Sequence, residues 1–130
     1  MKYLLDTNVM SEPMKRRPSA TVLRRLTEQG HLCAVCASVW HELAYGIARQ
    51  YHADRKRYLE ELRASIRVLP YDQRAADWHA EERARLERDG KTPSFVDGMI
   101  AAVTASNGLV LVTRNVKHFR QFRGLDVERW

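Results

Sequence analysis

At 130 residues, 45% of them hydrophobic and 29% charged, the chain has room for one domain with a core of its own, and residues 1–130 are read as that single domain. No apolar run of about 18 residues is present to cross a bilayer as a helix, no signal-peptide pattern opens the chain, and two cysteines do not make a disulfide framework, so a cytoplasmic protein is expected. The formal charge of +6 directs the surface toward nucleic acid or an acidic protein and says nothing about fold.

Lys2 to Leu5 reads as a short strand that runs straight into Asp6, with Thr7-Asn8 turn-like behind it. MKRRPSAT is a loop, and Pro18 or Ser19 opens a helix through about Glu28 that Gly30 ends. His31 to Cys36 reads as a second strand. Ser38 is placed to cap a helix from Val39 into Tyr51. ADRKRYLEELRASI is helical, with Tyr58, Leu59, Leu62 and Ile66 near one stripe, and Arg67 to Leu69 is a short strand ended by Pro70. DQRAADWHAEERARLERDG is the clearest helix, rich in strong helix formers, with His79 expected to face water among its charges. GKTPS is a loop, Phe95 to Asn107 a helix of small and apolar residues ended by Gly108, and LVLV (Leu109 to Val112) a strand covered on both faces. NVKHFRQF gives a short helix, and Leu125 to Val127 an edge strand. Alternating strands and helices predict an α/β fold with a mainly parallel sheet and right-handed crossovers. In such sheets ligands bind beyond the carboxyl ends of the strands.

Four polar residues belong at that edge. Asp6 follows the first strand, Glu42 lies one turn into the helix after the second, and Asn115 comes just after LVLV. Asp97 sits in the opening turn of the helix that returns to LVLV, and the start of a returning helix lies at the same edge. Three carboxylates held together repel and raise one another's pKa, and a divalent cation is the natural compensation. Oxygen ligands of this kind suit magnesium or manganese, as one ion or as two bridged by a phosphate. Each residue also has a plainer reading: Asp6 as a turn residue, Asp97 as a helix cap, Glu42 as a first-turn acid, Asn115 as an N-cap. Thr113 offers a hydroxyl to the same corner, and Arg114 and Lys117 flank it as phosphate contacts or solvated charges. His118 borders the site or lies on the surface.

Cys33 and Cys36 have metal-knuckle spacing, but residues three apart in a strand point to opposite faces and no second pair exists, so both read as small buried residues. Neither HExxH, GxGxxG nor a Walker sequence is present. Lys15 to Arg17, with Arg24 and Arg25, reads as a basic footprint or an exposed face. Trp40, Tyr45 and Phe95, at helical spacing, read as core, with stacking on a base as the alternative.

LLDTNVMSE, SVWHELAYGIAR and SFVDGMIAAVTASNGLVLVTRNVKHF together resemble the PIN domain of VapC-type toxins, and the resemblance extends over essentially the whole chain. It implies a three-layer α/β/α ribonuclease whose acids, here Asp6, Glu42 and Asp97, bind Mg2+ or Mn2+ and cleave RNA. Many members carry a fourth acid after the TRN segment. Asn115 and His118 hold the matching positions here, and neither is acidic. Thr7 and Asn8 belong to the opening motif, and Thr113 supports the metal ligands. The resemblance further implies a homodimer, a small VapB-type antitoxin whose tail fills the toxin's groove, operator DNA bound through that antitoxin, and structured RNA such as transfer or ribosomal RNA as substrate.

The expected chemistry is hydrolysis by an activated water attacking phosphorus in line, leaving 5′-phosphate and 3′-hydroxyl ends. Two rivals stand beside it. A phosphatase of the haloacid dehalogenase type also places an Asp after its first strand but wants a second Asp two residues on, where this chain has Asn8. A non-catalytic RNA- or protein-binding module would use the acids as caps and the basic face for docking.

Overall fold

The computed structural model describes all residues, Met1–Trp130. Five short strands form one sheet in the order β3-β2-β1-β4-β5, every neighbouring pair parallel. They are β1 (Tyr3–Leu5), β2 (Cys33–Cys36), β3 (Arg67–Leu69), β4 (Val110–Val112) and β5 (Asp126–Glu128). The connecting helices are α1 (Thr7–Met10), α2 (Ala20–Gln29), α3 (Ala37–Arg49), α4 (Ala53–Ser65), α5 (Gln73–Arg88), α6 (Phe95–Ser106) and α7 (Val116–Phe119). With helices flanking a parallel sheet, the expected α/β architecture holds. No helix is long and apolar enough to cross a membrane.

The apolar character of KYLL, CAVC and LVLV has a direct cause in this order. β1, β2 and β4 are the three central strands, and Leu4, Ala34, Val35, Leu111 and Val112 are fully buried. Cys33 and Cys36 are free thiols buried in that core, as expected of small residues in a central strand. The edge strand β3 exposes Arg67 and Val68 and buries only Leu69.

The chain leaves β1 for β2 on one side and later returns to β4 on the other. The strand order therefore reverses between β1 and β4, the point where open parallel sheets form a crevice at their carboxyl ends. Leu5 is paired with Val112, and the Asp6 amide donates to the Val112 carbonyl at 2.9 Å. Residues 6 and 113 thus come off adjacent strands side by side.

Three local expectations are corrected. Thr7-Asn8, expected to be turn-like, open a short helix that runs to Met10. α3 begins at Ala37 with Cys36 as its cap residue, and the Ser38 hydroxyl meets the Cys36 thiol at 3.0 Å instead of capping. His79 does not face water: it is 2% exposed, on the buried face of α5 with Ala75 and Leu86.

Candidate active site

Asp6 is the best-held polar side chain of the molecule's central crevice. It is 7% exposed at the carboxyl end of β1. Its Oδ1 accepts the Thr7 amide at 2.7 Å, which makes Asp6 the cap of α1. Its Oδ2 accepts the Thr113 hydroxyl at 2.7 Å and the Asn8 side-chain amide at 3.3 Å. Thr113 Oγ1 in turn accepts the Asn115 amide at 3.0 Å, so both the donor and an acceptor direction of that hydroxyl are fixed. Asn8 Oδ1 accepts the Arg114 amide at 3.1 Å. The DTN and TRN segments, more than a hundred residues apart in sequence, are laced into one brace around a carboxylate. The turn reading and the site reading of Asp6 are therefore compatible: capping occupies one oxygen and leaves lone pairs on it free.

Asp97 is in the first turn of α6, but it is not the cap. Ser94 holds that position, its hydroxyl accepting the Asp97 amide at 3.4 Å. The Asp97 carboxylate is thereby released from local duty. Burial and then the charge of Asp6 push its carboxyl above the ordinary value of 3.8, with His118 opposing them. The two acids are close enough to repel, and the nearest basic nitrogen, His118 Nδ1, lies 3.8 Å from Asp97 Oδ2.

The remaining expected residues fall less tightly. Glu42 is exposed on α3 and makes no hydrogen bond or ion pair. Asn115, Lys117 and His118 are exposed around α7, and Asn115 caps α7 without a side-chain bond. Arg114 is turned inward: its guanidinium lies 3.9 Å from the buried Glu12, which also accepts the Ser19 amide at 2.7 Å and pairs with Lys15 at 2.8 Å. Tyr45 and Phe95, expected in the core, are 51% and 53% exposed, while Trp40 is half-buried. Glu12, assigned no role from the sequence, and His79, expected to face water, are both buried and carry structure. Glu12 had a signal in its position at the head of a run of cations, and His79 in its spacing of four from Ala75 and seven from Leu86.

In kind, Asp6 and Asp97 fit a hard divalent cation: both offer carboxylate oxygens, and burial together with the neighbouring charge raises the Asp97 carboxyl. In position, no group of three or more His, Cys, Asp or Glu side chains stands close enough to hold an ion.

Away from this crevice, a mostly apolar groove of about 650 Å3 runs between α2 and α4, lined by Met10, Leu23, Leu26, Tyr58, Leu62 and Ile66 among others. The Tyr58 hydroxyl donates to the Met10 carbonyl at 2.8 Å at its floor, which ties α4 to the end of α1.

Residues 3–125 match the model of the PIN domain. The chain is 34% identical over 131 residues to the tRNA(fMet)-specific endonuclease VapC of Shigella flexneri, covering all of this chain and 98% of that protein. Its fold superposes on the DNA-bound VapBC of Salmonella typhimurium with a TM-score of 0.84 at 30% identity, over 100% of this chain and 98% of that one. It superposes on FitAcB of Neisseria gonorrhoeae with a TM-score of 0.83 at 32% identity, over 96% and 95%.

Proposed function

Because the chain belongs to the PIN-domain family, among its VapC-type toxins, we propose that it is a metal-dependent endoribonuclease. Its substrate is a structured RNA, a transfer or ribosomal RNA, and a small VapB-type antitoxin silences it. The observation that carries the catalytic reading is the pair of carboxylates at the strand-order reversal, Asp6 braced by Thr113 and Asp97 raised by burial and by the charge of Asp6.

Asp6, Asp97 and Glu42 would hold Mg2+ or Mn2+. That ion would supply a nucleophile at neutral pH and neutralise charge developing on the phosphate. The chain's own residues do the positioning. Thr7, Asn8 and Thr113 fix the Asp6 carboxylate before substrate arrives, so little reorganisation is left for the reaction. Asp97 projects from a twelve-residue helix, a rigid mount. Glu42, exposed and unpaired, is free to turn toward the reacting phosphate once RNA is seated. Lys117, exposed without an ion pair, offers a contact to the RNA backbone, and Asn115 and His118 border the same corner. Products carry 5′-phosphate and 3′-hydroxyl ends.

The antitoxin tail lies in the groove between α2 and α4, and the toxin pairs as a homodimer within a larger antitoxin complex that binds operator DNA through the antitoxin. The solved DNA-bound VapBC of Salmonella typhimurium supports an antitoxin complex that engages DNA. Asn8 weighs against the phosphatase rival, because the residue that would have to be an acid is a neutral brace with both ends of its amide engaged.

The test is cleavage of structured RNA by purified protein with Mg2+ or Mn2+, with EDTA, and by Asp6→Asn. Cleavage lost in EDTA, restored by either metal and absent in the variant supports the proposal. An inert wild type on several RNAs favours the binding module, and 2′,3′-cyclic phosphate ends contradict the hydrolytic route.

A further inference from the structure

We infer that His79 is a positioning residue for Asp97: its imidazole, held by Tyr71, seats against the backbone of α6 at Gly98 and fixes the rotation of the turn that carries the carboxylate. The inference rests on the reading of Asp97 as a site residue.

Gly98 needs an explanation. Three of the chain's glycines adopt positive φ, and Gly98 is not among them. It lies inside a regular helix, where glycine is disfavoured relative to alanine. What sets it apart is close approach. A Cβ built on Gly98 would lie 2.1 Å from His79 Nε2, 2.7 Å from Cδ2 and 2.9 Å from Cε1, whereas a Cβ on any other glycine of the chain meets nothing within 4 Å. The outer edge of the imidazole fills the volume that any side chain at 98 would need.

The ring is itself fixed. Its Nδ1 is 2.8 Å from the Tyr71 hydroxyl, Tyr71 stands edge-on to it at 5.8 Å, and Phe95 covers it at 4.8 Å. Its Nε2 is buried with no hydrogen-bond partner. An unpaired buried nitrogen is unfavourable, and a merely space-filling aliphatic side chain would avoid it. A flat ring edge at this height is what lets the two helices approach at the glycine. Successive residues of a helix are turned by about 100°, so seating position 98 against α5 directs position 97 away from that contact. The rotation of α6, and with it the direction of Asp97, is set by a side chain that touches neither the acids nor the expected substrate.

The test compares Gly98→Ala, His79→Ala and the double variant with wild type. One readout is amide chemical shift and hydrogen exchange over residues 95–99. The other is kcat and KM on an RNA the wild type cleaves, with thermal melting to verify folding. Gly98→Ala is expected to shift the first-turn amides and lower kcat at least tenfold with KM within about twofold. Adding His79→Ala is expected to relieve the clash and return both toward wild type. His79→Ala alone is expected to speed exchange in the first turn of α6 more than in its last turns. A Gly98→Ala variant with wild-type shifts, defects that simply add in the double variant, or uniform exchange along α6 in His79→Ala would each overturn the inference. The amide readout is independent of catalysis. If Asp97→Asn cleaves RNA as well as wild type, the reading of Asp97 as a site residue falls while the coupling of residues 79 and 98 is still decided.

Discussion

Asp6 shows how closely the fold can hold a single carboxylate. One oxygen closes the first turn of α1 and the other takes the Thr113 hydroxyl, so the group is immobilised by bonds that also hold β1 to β4. Thr113→Val keeps the shape of the side chain and deletes that hydroxyl. Partners that orient a metal ligand are worth roughly 10–100-fold in metal affinity or activity, and RNA cleavage by Thr113→Val is expected to fall within that range with the circular dichroism spectrum unchanged. Full activity would show that the brace is dispensable. Asp6 and Thr113 were legible in the sequence because each follows an apolar run whose end fixes its place. Glu42 was legible as an acid near the edge but not in its orientation, since a helix of mixed character does not say which way an exposed side chain turns. The inward turn of Arg114 was hidden because its partner, Glu12, is about a hundred residues away.

At the scale of elements, the strands and the long helices followed from periodicity and punctuation. Ser19 caps α2, Asp72 caps α5, and Gly90 and Gly108 take the left-handed conformation after their helices. The errors lay where tertiary contacts decide. A four-residue α1 has no period to read, and it exists because Asp6 is already fixed by β4. The pairing of α5 with α6 buries His79, which its charged sequence neighbours disguised. This pair carries a pH dependence. Burial, and secondarily the positive charge of Arg83, lowers the imidazole below its ordinary 6.5 in the folded state. The unfolded chain therefore takes up this proton first as pH falls. The contribution of His79 to stability is full above about pH 6.5 and is lost as pH drops through the folded value. Melting temperatures from about pH 7.5 to about pH 5 should fall more for wild type than for His79→Phe. Equal slopes would mean that the imidazole titrates alike in both states.

For the whole molecule, the parallel sheet order places two proposed functions on one small scaffold. The reversal between β1 and β4 creates the acidic crevice, and α2 and α4 leave an apolar groove between them. The sheet was predictable from alternating elements. The groove was not, because an unfilled surface between two amphipathic helices has the same apolar pattern as a filled one. Leu26→Glu puts a charge on the groove wall and is expected to weaken binding of the antitoxin at least tenfold in titration calorimetry, with RNA cleavage retained. Unchanged binding would place the antitoxin elsewhere. The central claim is narrower than either function: Asp6 and Asp97 converge on one cation. Mn2+ titration followed by electron paramagnetic resonance tests it most directly. The account predicts specific Mn2+ uptake by wild type that weakens at least tenfold in both Asp6→Asn and Asp97→Asn. Binding of equal strength in wild type and both variants, or no specific binding in wild type, would contradict it.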